Sequence, residues 1–171
     1  MNLTKLFEMQ RELDERIVKE KGLEGLDLLP EKILALQVEL GECANEWRGF
    51  KFWSKDQRPR TSKWVAPSMG LSFAEERNPL LEEYIDCLHF ILSIGNIHRI
   101  TQFDHLELVE ESITFYFTKL LRVEWESKVS YTVAVPAFLK LGKMLGFTWE
   151  KIEEAYMSKN VVNHTRQSTG Y

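Results

Sequence analysis

The sequence predicts an all-α fold: one domain over residues 1–171, built as a helical bundle of about five to seven helices. Three observations carry this. Apolar residues recur at helical spacing along most of the chain, Pro30 and Pro79 stand where helices would begin, and strand-like alternation is weak. With 44% hydrophobic and 28% charged residues, the chain has the composition of a globular domain that can bury one core.

Residues 3–20 place Leu3, Leu6, Phe7, Leu13, Ile17 and Val18 near helical spacing, which gives a first helix. Gly22 and Gly25 mark the loop after it. Pro30 fits the first turn of a second helix reaching about residue 47, with Ile33, Leu36, Leu40, Ala44 and Trp47 as its apolar stripe. Residues 48–79 break the pattern. Pro59, Pro67 and Pro79 interrupt them, and Lys and Arg alternate with Phe50, Phe52, Trp53 and Trp64. We read a long ordered loop with room for a short helix; loops of this length often carry function. Pro79 starts a third helix to about residue 99, apolar almost all round, which is the pattern of a buried helix. Helices at about 104–120 and 129–145 follow, with Pro136 starting or kinking the second. Thr148 caps a last helix from 149 to about 166. ITFYF and YTVAV come closest to strand alternation, and we assign both to helices.

Several function classes lose support at once. A net charge of −4 and a pI near 5.7 argue against broad electrostatic binding to nucleic acid. Cys43 and Cys87 form no CxxC and suggest no disulfide framework, which fits a reduced, cytoplasmic setting. The segment MNLTKLFEMQRELDERIVKEK is too charged for a signal peptide, and no apolar run nears the roughly 20 residues that span a membrane. No GxSxG, P-loop or GxGxxG occurs.

The chemistry sits in two carboxylate pairs. Glu39 and Glu42 stand three apart, as do Glu83 and Asp86, so each pair shares a helix face. Asp86 lies among Ile85, Cys87, Leu88, Phe90, Ile91 and Leu92, where an ionised carboxylate is costly unless it is paired or bound to a metal. Two such pairs facing each other would form an oxygen-rich cage suited to Mg²⁺. The plainer reading is a solvated face for the first pair and a Lys or Arg ion pair for the second. Asp86-x-x-His89 raises a di-iron site, but such bundles need Glu-x-x-His from two helices and none is present. His89 then reads as a packed helical histidine. Lys159, Asn163 and Arg166 recur along one helix face, a set suited to polyphosphate or, more simply, to complementing a helix dipole. In the loop, Trp53 could stack a base beside Lys51 and Lys55, or the aromatics could simply cover the core. Gln10 and Asp14, at i and i+4, could bond a base edge or pair with Arg11 or Arg16 at the surface.

Taken in order, MQRELDERI, ELGECANEW with FKFWSK, EEYIDCLHF and YMSKNVVNHTRQSTGY resemble one family, the dimeric all-α dUTP pyrophosphatases. These belong to the wider all-α NTP pyrophosphatase group that includes MazG-like enzymes. The ExxE…ExxD pattern marks the wider group; LHF with the terminal KNxxNxxRQxxGY marks the dUTPase branch. The resemblance implies an all-α NTP pyrophosphatase fold and Mg²⁺-dependent hydrolysis of dUTP to dUMP and pyrophosphate, with dUDP also used. It implies two or three Mg²⁺ ions, with Mn²⁺ as a substitute, held by Glu39, Glu42, Glu83 and Asp86. Glu42 or Glu39 would activate water. Lys159, Asn163, Arg166, Lys51 and Lys55 would neutralise phosphates, and Gln10, Asp14 and Trp53 would line the deoxyuridine side. The family often has Asn where Asp14 stands; Asn both donates and accepts, whereas ionised Asp only accepts. A homodimer is implied, and Phe115, Tyr116, Phe117 and Trp125 are aromatics that need partners. The rival readings are a sister pyrophosphatase acting on another or modified nucleotide, and a non-catalytic helical interaction protein on the same fold.

Overall fold

A computed structural model describes residues 3–65, 75–103 and 110–169. Its described elements run α1 (Leu3–Lys21), α2 (Leu29–Trp47), β1 (Lys63–Val65), β2 (Glu75–Arg77), α3 (Pro79–His98), α4 (Ile113–Leu121), α5 (Lys128–Met144) and α6 (Trp149–Thr169). The six helices match the all-α expectation. No helix among the described residues is long and apolar enough to cross a membrane.

The central element is α3, which packs against α1, α2, α5 and α6. It forms where expected because Pro79 pre-sets the first helical φ. Asn78, a cap the sequence reading did not use, accepts a hydrogen bond from the Leu81 N–H at 3.0 Å. Its apolar circumference is buried as the pattern requires, from Leu80 through Ile85, Leu88, Ile91 and Leu92 to Ile94. Tyr84 stacks on Phe138 of α5 with centroids 4.4 Å apart and planes 7° from parallel. Gly95 admits Tyr131 so closely that a Cβ there would lie 2.1 Å from the Tyr131 hydroxyl. That hydroxyl donates to the Ile91 carbonyl at 3.0 Å, which fixes it in place.

Three expectations need correction. The 48–79 segment holds no helix among its described residues; it holds the two short strands instead. They pair antiparallel, with Trp64 opposite Glu76. Three-residue strands leave too short an alternation to see in sequence. The loop before them folds back on α2: Arg48 ends that helix in the left-handed region at φ 65°, and Arg60 pairs with Glu46 through both its backbone N–H and its guanidinium. The helix expected from about 104 begins at Ile113, where Ser112 accepts from the Phe115 N–H; residues 104–109 lie outside the described set. Finally, Tyr116, Phe117 and Trp125 are buried within the chain, so of the four aromatics only Phe115 stays substantially exposed. Pro136 lies inside α5 and does not start it. Thr148 does cap α6, through the Lys151 N–H at 3.4 Å.

Candidate active site

Glu39 of α2 and Glu83 and Asp86 of α3 each place a carboxylate oxygen within 4.8 Å of the others. The two helices bring them together because each is anchored by its apolar stripe: Leu36, Leu40 and Cys43 on α2, Leu80, Ile85 and Leu88 on α3. The acids flank those stripes, at the rim of the core. Glu42 is the exposed member of the four and stands outside that group of three. Its charge still reaches both Glu39 and Glu83 and helps to raise their pKa values.

The cluster carries more negative charge than its surroundings neutralise. Burial pushes Glu83 up to about 7, and the charges of Asp86, Glu42 and Glu39 push in the same direction. Glu39 rises to about 6, first through burial and then through Asp86 and Glu42, while a hydrogen bond from Glu83 pulls it down. One cation is already in place: Lys159 of α6 donates to Asp86 Oδ2 at 2.6 Å and lowers both glutamates. An all-oxygen donor set with surplus negative charge fits a hard divalent cation.

Two of these acids, Glu39 and Asp86, line a cavity of about 350 Å³ between α1, α2, α3 and α6. Lys159, Asn163 and Arg166 line it with them, so three of the five residues expected at the phosphates share a cavity with two of the expected metal ligands. Gln10 and Asp14 line it as well. Gln10 is only 4% exposed and sits at the centre of a network. Its Nε2 donates to Asp14 Oδ1 at 2.8 Å, and its Oε1 accepts from the Tyr156 hydroxyl at 2.9 Å and from His89 Nδ1 at 2.7 Å. Because an ionised Asp14 only accepts, the Gln10 amide can point one way only. That places the ring hydrogen of His89 on Nδ1. Burial, with Lys159 nearby, depresses His89 to about 3, so the ring is neutral. It stacks on Tyr156 at 4.3 Å, a packed role.

Asp14 is not the surface residue that pairing with Arg11 or Arg16 would make it. It bonds Lys32 of α2 at 3.0 Å and accepts from the Ser93 hydroxyl of α3. Lys32, Ser93, Phe90 and Gln167 also line the cavity; Phe90 and Gln167 lie in the quoted motifs, but the sequence reading named none of the four as a site residue. A signal for two of them was present. Lys32 precedes Glu39 by seven residues and Ser93 follows Asp86 by seven, two turns along the same faces.

Lys51, Lys55 and Trp53 do not line this cavity. Lys51 bonds Asn45 and lies 5.7 Å from the Phe50 ring, while Lys55 is exposed. Trp53, 65% exposed, packs edge-on to Phe50 and Phe52, and Phe50 stacks on Trp47. The loop aromatics thus cover one another and the end of α2. Of the C-terminal motif, Gly170 and Tyr171 lie outside the described residues.

No individual curated protein matches the chain at a significant level. The sequence model of the dUTPase family matches residues 2–66 and 71–171. With nearly the whole chain matched, the motifs and the six-helix fold agree: this chain belongs to the dUTPase family, enzymes that hydrolyse dUTP.

Proposed function

We propose that the chain hydrolyses dUTP, and also dUDP, to dUMP in a Mg²⁺-dependent reaction, releasing pyrophosphate or phosphate. The observation that carries this reading is the convergence of Glu39, Glu83 and Asp86 beside Lys159 at one end of a nucleotide-sized cavity. Glu39, Glu83 and Asp86 would hold the metal, with Glu42 at their edge. When bound, the ion supplies charge neutralisation and alignment for the phosphates. Two or three ions are expected, with Mn²⁺ as a substitute.

The chain's own groups do the rest. Glu42 and Glu39 are the candidates for accepting the proton of the attacking water. Glu42 is favoured, because Glu39 is committed to the group of three while Glu42 stands exposed beside it. Lys159, which donates to Asp86 Oδ2 at the mouth of the acid cluster, would neutralise the phosphate chain. Asn163 and Arg166, one and two turns further along α6, extend the same charged face. The Gln10–Asp14 end receives the base. Lys51, Lys55 and Trp53 reach a nucleotide only if the loop moves or a second subunit presents it. A homodimer would form through the α4–α5 face, where Phe115, Val129 and Val133 leave apolar surface exposed around a groove.

The test is release of pyrophosphate from each deoxynucleoside triphosphate with Mg²⁺. We expect dUTP to be preferred. Glu42→Gln and Asp86→Asn should each fold and lower turnover by about 100-fold or more. Near-normal turnover in both defeats the site assignment, and preference for another nucleotide moves the chain to a sister activity.

A further inference from the structure

The cavity has two polar ends, and the chemistry proposed above takes place at the acidic one. From Glu39 to Lys32 on α2, and from Asp86 to Ser93 on α3, the spacing is seven residues, or about 10 Å along each axis. Both shifts lead to one place, because Lys32 and Ser93 meet on Asp14 Oδ2. Two turns along an antiparallel helix pair thus separate a phosphate-binding end from a second cluster. That is about the reach from a nucleotide's α-phosphate to its base.

Each group in this cluster has a countable capacity. Asp14 receives three donors, from Gln10, Lys32 and Ser93, and keeps a free lone pair. Lys32 gives one of its three hydrogens to Asp14 and keeps two. Both side chains are 17% exposed, so the pair is neither solvated nor sealed. The result is a donor fixed beside an acceptor, 3.0 Å apart, on the cavity wall.

We propose that the Lys32–Asp14 pair reads the base: Lys32 donates to a ring carbonyl while Asp14 accepts from the adjacent ring N–H. Uracil presents a carbonyl beside an N–H on either side of its N3. Cytosine has no hydrogen on N3, and its amino group would meet the Lys32 ammonium. The pair therefore matches an imide edge and opposes an amidine-type edge, so Lys32 is a specificity residue. This inference rests on the nucleotide reading above.

The experiment measures competitive inhibition of dUTP turnover by dUMP, dCMP and N3-methyl-dUMP in wild type, Lys32→Met and Lys32→Gln, with melting curves as a check on folding. In wild type, dUMP should bind best. Lys32→Met should weaken dUMP about 10- to 100-fold, the range for a hydrogen bond to a charged group. It should change dCMP and N3-methyl-dUMP less than 3-fold, with the loss appearing in KM and not in kcat. Lys32→Gln, which keeps an N–H donor, should recover part of the difference. Equal weakening of dUMP and dCMP, or no change in either, overturns the proposal while dUTP turnover by wild type leaves the functional reading standing. Absence of wild-type turnover overturns both.

Discussion

If Glu39, Glu83 and Asp86 hold a divalent cation, binding it must expel protons. The raised pKa values set how many. At pH 6, Glu83 with a pKa of about 7 is roughly nine-tenths protonated, and Glu39 with a pKa of about 6 is roughly half protonated. Mg²⁺ binding should then release about 1.4 protons at pH 6 but about 0.1 at pH 8. Taken in full, these shifts weaken apparent affinity about 20-fold from pH 8 to pH 6. Both side chains are only partly buried, and solvent screening brings the expected factor toward about 5-fold. Stability has the opposite sign. Without metal, both carboxyls hold protons more tightly folded than unfolded. Their contribution is therefore fully present below about pH 4.5 and is lost as pH rises through about 6 and 7. Mg²⁺ should remove that loss. Titration calorimetry in two buffers of different ionisation enthalpy gives the proton count directly, and melting curves with and without Mg²⁺ give the second arm. Equal affinity at pH 6 and pH 8 with no proton uptake by buffer would refute the shared site. Glu83→Gln should cut the release at pH 6 to about half a proton or less.

Four further outcomes are expected. Lys159→Met should reduce dUTP turnover by about 100-fold while Mg²⁺ binds at least as tightly at pH 8, because it removes a cation that competes for Asp86; calorimetry beside kinetics checks both. Gly95→Ala should destabilise the fold by about 1–3 kcal/mol in urea titration, since its new methyl collides with a Tyr131 hydroxyl pinned to Ile91. Asn78→Ala should cost about 1 kcal/mol by removing the α3 cap, with the melting midpoint as the readout. Asp14→Asn should raise KM for dUTP through the loss of the Lys32 anchor and should leave Mg²⁺ affinity within about 2-fold.

Much of the molecule was legible in the sequence, for identifiable reasons. Helices α1 and α2 show apolar periodicity over 19 residues each, long enough to dominate local noise, while α3 stood out as apolar nearly all round after Pro79 and α6 was marked by its cap at Thr148. The acid cluster was legible because Asp86 contradicts its apolar neighbours, and such a contradiction needs a partner to explain it. What failed were short or irregular features. The strands Lys63–Val65 and Glu75–Arg77 are too brief to show a period. The loop residues Lys51, Lys55 and Trp53 were placed by residue type alone, and the loop's own aromatic packing decides where they sit. Lys32 and Ser93 were missed because each is ordinary on its own helix; their meaning comes from α1, whose Asp14 gathers both.

That gathering explains why the site needs four helices. α2 and α3 alone would bring three carboxylates together with nothing to balance them, and burial has already driven two of them toward holding protons. α6 supplies Lys159, whose ammonium compensates Asp86. α1 supplies Asp14, which does the converse two turns away by compensating Lys32. The cavity therefore carries an acid borrowed by a base at one end and a base borrowed by an acid at the other. A ligand with a polyanionic tail and a hydrogen-bonding ring can relieve both arrangements at once. A bare triphosphate relieves only the first. Removing the base should therefore cost binding even where the acid cluster is untouched, so inorganic triphosphate should compete with dUTP far more weakly than an intact non-hydrolysable dUTP analogue does.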